Sequence, residues 1–111
     1  MTSIKTIRLP LAGNANKSTH LEINTYYSLG GVSYATYKNE PRGYYISVTP
    51  IELNNSRGYT TVTTAFSGVK RCMIECSRQS KKKAEEACNI KQEEYQDMID
   101  YVLEKNGLTL A

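Results

Sequence analysis

The sequence predicts an α+β fold: an antiparallel meander of four to five short strands packed against one long C-terminal helix. Residues 1–66 alternate short β-prone stretches with turns that contain glycine, asparagine and proline. Residues 67–106 contain no proline and no glycine after Gly68, and their apolar and small residues recur every three or four positions. We therefore expect one domain over 1–111, in which a sheet is followed by a helical segment and a short tail at 107–111.

The first three strands are predicted from alternation and from the residues that end them. Ser3 to Leu9 forms the first strand, and Pro10 closes it. Residues 20–29 alternate apolar and polar side chains with a period of two, which indicates a half-buried strand. Gly30-Gly31 is predicted to form a tight hairpin turn, since glycine accepts positive φ angles, and Val32 to Tyr37 returns as the next strand.

Two further strands complete the predicted sheet. Tyr44 to Leu53 is rich in β-branched and aromatic residues and follows a turn at Asn39–Gly43. Pro50 cannot donate to a strand ladder, so this strand should end there, bulge there or lie at an edge. A turn at Asn54–Gly58 leads to the last strand, Tyr59 to Phe66, in which threonines predominate.

The helical segment has a start signal and a stop signal. Ser67 is the predicted N-cap, and Lys105-Asn106-Gly107 places a cation and then a glycine at the C-terminal end. We expect a continuous helix, with a bend near 77–80 left open, because a new helix starting at Ser80 would put three lysines against its own dipole. Its apolar stripe should cover one sheet face, and burial of part of that stripe against a second copy leaves a homodimer open.

The charge distribution excludes few classes of protein. The net charge is +3; residues 1–66 hold six Lys and Arg against three Asp and Glu, whereas residues 67–111 hold eight of each. No apolar run approaches the roughly 20 residues that a membrane helix needs. The N-terminus also lacks the charged, apolar and small-residue succession of a secretion signal. We therefore expect a cytoplasmic protein with no membrane partner.

The residue types needed for catalysis or metal binding are sparse. Cys72, Cys76 and Cys88 all fall in the predicted helix and are expected to be buried thiols in a reducing compartment. A zinc site needs about four ligands, and His20 is the sole histidine. No glycine-rich loop joins a strand to a helix, and no carboxylates form a paired constellation. The sequence predicts no enzyme, no cofactor and no metal site.

One basic cluster stands out within the predicted helix. It consists of Arg78, Lys81, Lys82 and Lys83. Several cations close together suit a contact with phosphates or with an acidic protein surface. The alternative is an ordinary solvated helix face, in which Lys81 and Lys82 neighbour Glu85 and Glu86 four residues further on.

Tyrosine is the strongest compositional bias, with nine tyrosines, one phenylalanine and no tryptophan. Tyrosines on the sheet face away from the helix should be exposed, and the predicted surface contains Tyr45 with Lys38, Arg42 and Arg57. Such a face could stack the bases of a single-stranded nucleic acid or supply the binding hot spots of a protein interface. The alternative is cross-strand packing of the tyrosine rings.

Two stretches carry a resemblance to a known group of proteins. Residues 38–50 read KNEPRGYYISVTP and residues 64–70 read TAFSGVK. From about Asn24 onward, the chain resembles small proteins carried on phages, plasmids and conjugative elements of Gram-positive gut bacteria. The resemblance implies a setting in which small single-domain proteins disable host defences, as anti-CRISPR proteins do, or handle the element's own DNA. It identifies no functional residue.

Two functional hypotheses follow from these observations. The first is a non-catalytic inhibitor that binds a host protein or nucleoprotein complex that handles nucleic acids, such as a CRISPR effector. It would use the tyrosine-bearing sheet face and the charged flanks of the helix. The second is an accessory protein that binds nucleic acid directly through Lys38, Arg42, Arg57, Arg78 and Lys81 to Lys83.

Overall fold

A computed structural model of the protein describes residues 2–12, 18–32, 39–56, 58–63, 69–77 and 95–111. The strands are β1 (Thr2–Ala12), β2 (His20–Ser28), β3 (Gly31–Val32), β4 (Asn39–Glu40), β5 (Gly43–Ser56), β6 (Tyr59–Thr63), β7 (Cys72–Ser77) and β8 (Thr109–Leu110), and the helix is α1 (Gln96–Asn106). The α+β class is confirmed. The main sheet has six strands rather than four to five, and the helix is short.

The sheet is antiparallel throughout and is organised around β5. Its order is β6–β5–β2–β1–β8, and β7 also pairs with β5. β2 pairs with the first part of β5 along one edge. On the opposite edge, β7 pairs with residues 44–48 and β6 pairs with residues 52–56. β6 and β7 therefore follow one another along the same side of β5.

The prediction of one helix over 67–106 is wrong at its start, because Cys72–Ser77 is a strand. Cys72, Ile74 and Cys76 are partly buried against the core, so the segment also fits a period of two. Pairing with β5 selects that period over the helical one, since tertiary contacts override local preference. Residues 64–68, with the predicted N-cap Ser67, and residues 78–94, with most of the predicted bend, lie outside the described residues.

Gly30 and Gly31 adopt the positive φ angles that the sequence predicts, 93° and 111°. They do not reverse the chain, however, because β3 follows directly and pairs with β4. Because β2 also pairs with β5, β2 and β3 form one side of a long hairpin and β4 and β5 form the other. The two glycines interrupt this hairpin between β2 and β3. The predicted tight turn is therefore wrong, and residues 33–38 of the predicted return strand lie outside the described part.

Pro50 lies inside β5 and does not end it. It pairs in register with Leu21 of β2 and is buried. Among the described residues, pairing on the opposite edge stops at Val48 with β7 and resumes at Glu52 with β6. The missing N–H of Pro50 therefore costs the sheet little, because it falls in the interval where β5 has no neighbour in the described structure.

The helix packs across one face of the sheet. The buried cluster consists of Leu11, Leu21, Ile23, Ile46, Val48, Met98, Ile99, Val102 and Leu108. Leu21, Ile46, Val48 and Val102 are fully buried. Burial of one such aliphatic side chain stabilises the fold by about 1.5–3 kcal/mol. No helix in the described part of the chain is long and apolar enough to cross a bilayer.

The predicted stop of the helix is confirmed at Gly107, which has a φ of 63°. Gly107 N–H donates to the carbonyl of Glu104 at 3.3 Å, and Leu108 N–H donates to that of Leu103 at 2.9 Å. These two bonds are the pattern of a Schellman cap, and the buried Leu108 side chain completes it. The predicted tail is instead β8, which pairs with the end of β1 through Leu110 and Leu11.

Asn106, the last helical residue, ties the helix to the segment that precedes β7. Its Oδ1 accepts the N–H of Lys70 at 2.9 Å, and its Nδ2 donates to the carbonyl of Lys70 at 2.8 Å. Nδ2 also donates to the carbonyl of Val102 at 2.7 Å. The amide thus bonds Lys70 as a neighbouring strand would, and at 8 % exposure it is largely shielded from water.

Replacing this amide should destabilise the protein. We expect Asn106→Ala to lower the free energy of unfolding in urea by about 1–3 kcal/mol, because it leaves the backbone groups of Lys70 without their partner. The control is Glu104→Ala on the exposed side of the same helix, which should change stability by no more than about 0.5 kcal/mol. Equal losses in the two variants would show that the Asn106 contacts carry no special weight.

Candidate interaction surface

The structure describes two of the eight side chains that the sequence predicts to bind a partner, Arg42 and Tyr45. The others are Lys38, Arg57, Arg78, Lys81, Lys82 and Lys83, which lie outside the described residues. The predicted basic cluster at 78–83 therefore stays a prediction. Tyr45 lies near the start of β5, where that strand pairs with the end of β2, and Arg42 immediately precedes the strand.

Tyr45 is a packing residue, which corrects the expectation that its ring is exposed. It is 3 % exposed, and its ring stacks on that of its cross-strand neighbour Tyr26 with centroids 5.7 Å apart. Its hydroxyl donates to the carbonyl of Pro41 at 2.5 Å. The Tyr26 hydroxyl donates to the sulfur of Met73 on β7 at 2.8 Å. Both rings are thus held by their polar ends, and Tyr45 offers no surface to a partner.

A second tyrosine pair lies on the opposite, helix-covered face of the sheet. Tyr27 and Tyr44 are cross-strand neighbours with ring centroids 4.9 Å apart and planes tilted by 55°. Tyr44 is 2 % exposed, and Tyr27 and Cys76 pack against it. Aromatic pairs of this kind add about 0.5–1.5 kcal/mol beyond their burial. Cross-strand packing therefore accounts for the four tyrosines of β2 and β5.

Arg42 is exposed, as a binding residue must be, but its side chain is already engaged. Its Nε donates a short hydrogen bond to the phenol oxygen of Tyr27, and its guanidinium carbon lies 5.9 Å from the centre of that ring. The hydrogen bond to Tyr27 raises the pKa of the Arg42 guanidinium. Sequence reasoning found Arg42 but not this partner, because it predicted a tight turn between Tyr27 and the next strand.

The other cations for which the structure gives contacts lie on separate elements. Arg8 of β1 pairs with Glu22 of β2 at 3.1 Å. Lys105 lies over the ring of Tyr101 on α1, with its Nζ 5.7 Å from the ring centre. The described cation contacts therefore lie on three different parts of the fold. That of Arg8 is on the sheet, that of Arg42 is on the long hairpin, and that of Lys105 is on the helix.

Cys72 and Cys76 lie on β7 as reduced thiols rather than as neighbours on a helix. Four residues along a strand separate their Cα atoms by about 13 Å, which is too far for a disulfide. Desolvation raises the pKa of the Cys72 thiol, and the backbone N–H of Met73 offsets part of that rise. Among the described residues, no three His, Cys, Asp or Glu side chains are grouped as metal ligands would be. Cys88 lies outside those residues.

The most exposed part of the described structure is the hairpin formed by the end of β5 and by β6. We call residues 52–56 and 58–63 the β5–β6 arm. Residues 54–56 and 58–62 are all exposed, including Tyr59 at 77 % and Val62 at 38 %. Two side-chain hydrogen bonds of 2.7 Å order the arm, from Asn54 to Glu52 and from Thr60 to Asn55.

Neither face of this arm is covered over most of its length. Tyr59 and Thr61 project to one face, whereas Thr60 and Val62 project to the other, and all four are exposed. Tyrosine, threonine, asparagine and serine dominate the arm, and side chains of these types supply rigid contact area and adaptable hydrogen bonds in protein-binding loops. The sequence predicted the hairpin but not its exposure, which depends on where β5 leaves the core.

Comparison with known proteins assigns no family to this chain: no family model, curated protein or solved structure matches it. No site residue can therefore be transferred from a relative. The candidate surface is defined by exposure and hydrogen bonding within the chain itself, and both of these observations apply to the β5–β6 arm.

The two classes of tyrosine should respond differently to truncation. We expect Tyr45→Ala to lower the free energy of unfolding by about 3 kcal/mol or more, because it removes a buried, stacked ring. Tyr59→Ala should change it by no more than about 0.5 kcal/mol, because its ring is mostly in water. Urea unfolding of both variants measures the difference, and a large loss for Tyr59→Ala would contradict the exposed position of its ring.

The Cys72 thiol should react slowly with an alkylating reagent in the folded protein. Its raised pKa leaves less thiolate, so peptide mass spectrometry after brief iodoacetamide treatment at pH 8 should find less modification than in denaturing urea. Because the folded state holds this proton more tightly, the thiol favours folding below its unfolded pKa and loses that contribution as pH rises through the higher folded pKa. Equal rates in native buffer and urea would contradict the desolvated position.

Proposed function

We propose that the protein is a non-catalytic binding protein and that the β5–β6 arm contacts its partner. The observation that carries this proposal is the exposure of Tyr59, 77 %, on a hairpin that extends past the buried core. Large aromatic side chains are the commonest energetic centres of protein interfaces. A ring held in water on an ordered strand is available for that use at little conformational cost.

The charge of the arm favours a protein partner over a phosphate backbone. Residues 52–63 contain one acidic and one basic residue, Glu52 and Arg57. Nucleic-acid binding draws most of its affinity from several cations that neutralise phosphates, and this segment does not supply them. The centres of protein interfaces are instead poor in charge and rich in tyrosine.

The partner we propose is a host complex that handles nucleic acids, which the protein would inhibit by occupying it. Support for this part comes from the resemblance of residues 38–50 and 64–70 to proteins of phages and conjugative elements. The non-catalytic part rests on the sequence, which offers one histidine and no paired carboxylates. The basic cluster at 78–83 provides a second contact if the complex carries exposed nucleic acid.

The proposal predicts that partner capture depends on Tyr59. Tagged protein is used to capture a complex from a lysate of a Gram-positive gut bacterium, and the complex is identified and purified. Tyr59→Ala should then weaken its binding by roughly thirtyfold, the effect of losing a hot spot of about 2 kcal/mol. Tyr101→Ala is the matched control, because Tyr101 is also an exposed tyrosine (46 %) but lies on α1. Equal binding by wild type and Tyr59→Ala would contradict the use of the arm.

Direct titration separates this proposal from the nucleic-acid alternative. Labelled single- and double-stranded DNA and RNA are titrated at two salt concentrations. Tight binding that weakens steeply with salt, and that is lost when Lys81, Lys82 and Lys83 are changed to Glu, would favour the accessory-protein hypothesis. An absence of binding at moderate salt is the result we expect.

A further inference from the structure

The backbone N–H and C=O groups of β5 point to its two edges in alternation. Two hydrogen bonds show which residues direct these groups to which edge. Leu53 N–H donates to Thr19 Oγ1 at 2.8 Å, and the carbonyl of Ile51 accepts Thr19 N–H at 2.9 Å. Residues 51 and 53 of β5 therefore direct their backbone groups toward the β2 side. Because these groups alternate between the two edges of a strand, those of Glu52 and Asn54 point toward β6.

The same alternation assigns the edges of β6. Asn54 is opposite Thr61, so the backbone groups of Thr61 point toward β5. Those of Thr60 and Val62 therefore point away from it. Within the residues that the structure describes, β6 pairs only with β5, so this outer edge has no strand beside it.

This open edge has none of the features that usually prevent strands from pairing. Edge strands are commonly protected by lysine, by proline, by a bulge or by being very short. β6 reads Tyr-Thr-Thr-Val-Thr, without charge, proline or glycine, and its pairing with β5 runs through all five residues without a register shift. By contrast, β8, at the far end of the sheet order, is only two residues long.

We propose that β6 pairs in antiparallel orientation with β6 of a second copy of this chain, about a twofold axis at Thr61. Thr60 of each copy then exchanges two backbone hydrogen bonds with Val62 of the other, which makes four bonds in total. Two β5–β6 arms join into one four-stranded ribbon. This inference goes beyond the proposed function and does not depend on it.

The side chains that meet across the twofold axis are compatible. Thr61 lies opposite Thr61 of the second copy, Tyr59 opposite Thr63, and Thr60 opposite Val62. Threonine pairs and pairs of an aromatic with a β-branched residue are favourable cross-strand neighbours. A charged residue at the centre of the strand would meet its own copy, and β6 has none.

The surroundings of β6 favour a second copy over the strand of an unrelated protein. Proteins that add a foreign strand to a sheet edge select it through pockets for alternate side chains. The arm instead exposes both of its faces, so it offers no such pockets beside β6. Pairing with a copy uses the backbone edge alone and leaves Tyr59 on the exposed face of the ribbon.

The oligomeric state in solution tests the inference. Sedimentation velocity over a wide range of concentrations should show a wild-type dimer. Val62→Pro removes an outward N–H that the β5 ladder does not use, and it should raise the dimer dissociation constant by at least about tenfold. Val62→Thr is the matched control, because it keeps the N–H and the β-branched shape, and it should remain a dimer. A monomeric wild type, or a Val62→Pro variant that dimerises as tightly, would overturn the proposal.

A cross-link keeps the test decisive if Val62→Pro disturbs the hairpin. Facing Cβ atoms in a cross-strand pair without backbone hydrogen bonds are close enough for a disulfide. Thr61→Cys should therefore form a covalent dimer under mild oxidation, whereas Glu104→Cys, on the exposed side of α1, should not. Failure of Thr61→Cys to cross-link faster than Glu104→Cys would also overturn it. Neither readout involves a host partner, so the result is independent of the Tyr59→Ala binding experiment.

Discussion

The backbone ladder of β5 is the constraint on which the rest of the described structure depends. One edge of this strand bonds β2, which in turn carries β1 and β8. The other edge bonds β7 and then β6. From Gly43 to Ile51 the strand is buried at every position except Ser47, which is partly buried, so both of its faces are covered. The same strand then continues past the core and becomes half of the β5–β6 arm, which makes the arm a direct extension of the best-buried element.

The sequence predicts an element of this fold correctly where its local pattern agrees with the pairing of the strands. Gly107 stops the helix as predicted, because a glycine with positive φ is a local requirement. The segment containing Cys72, Ile74 and Cys76 fits both a helical and a strand period, and only its pairing with β5 decides between them. Gly30 and Gly31 have the predicted φ angles but not the predicted turn, since φ alone does not determine where two strands pair.

The candidate site was less predictable than the fold, for a related reason. The sequence indicated tyrosine-rich strands, but Tyr45 and Tyr59 differ only in their surroundings. Tyr45 is buried and stacked on Tyr26, whereas Tyr59 is in water. Whether a tyrosine on a strand is exposed depends on the whole sheet, and the neighbouring residues in the sequence do not indicate it. The six remaining predicted cations lie outside the described residues, so their grouping rests on the sequence alone.

The interval beside Pro50 has a consequence for how this chain can change over evolutionary time. Eight residues lie between Thr63 and Cys72, opposite only three between Val48 and Glu52 on β5, so the chain between β6 and β7 is longer than the ladder requires. Pro50 has no N–H to donate on that side, so the connecting segment does not have to supply an acceptor for it at a fixed position. Insertions and deletions between Thr63 and Cys72 should therefore accumulate in diverged copies of this protein, while the register on either side of Pro50 stays unchanged.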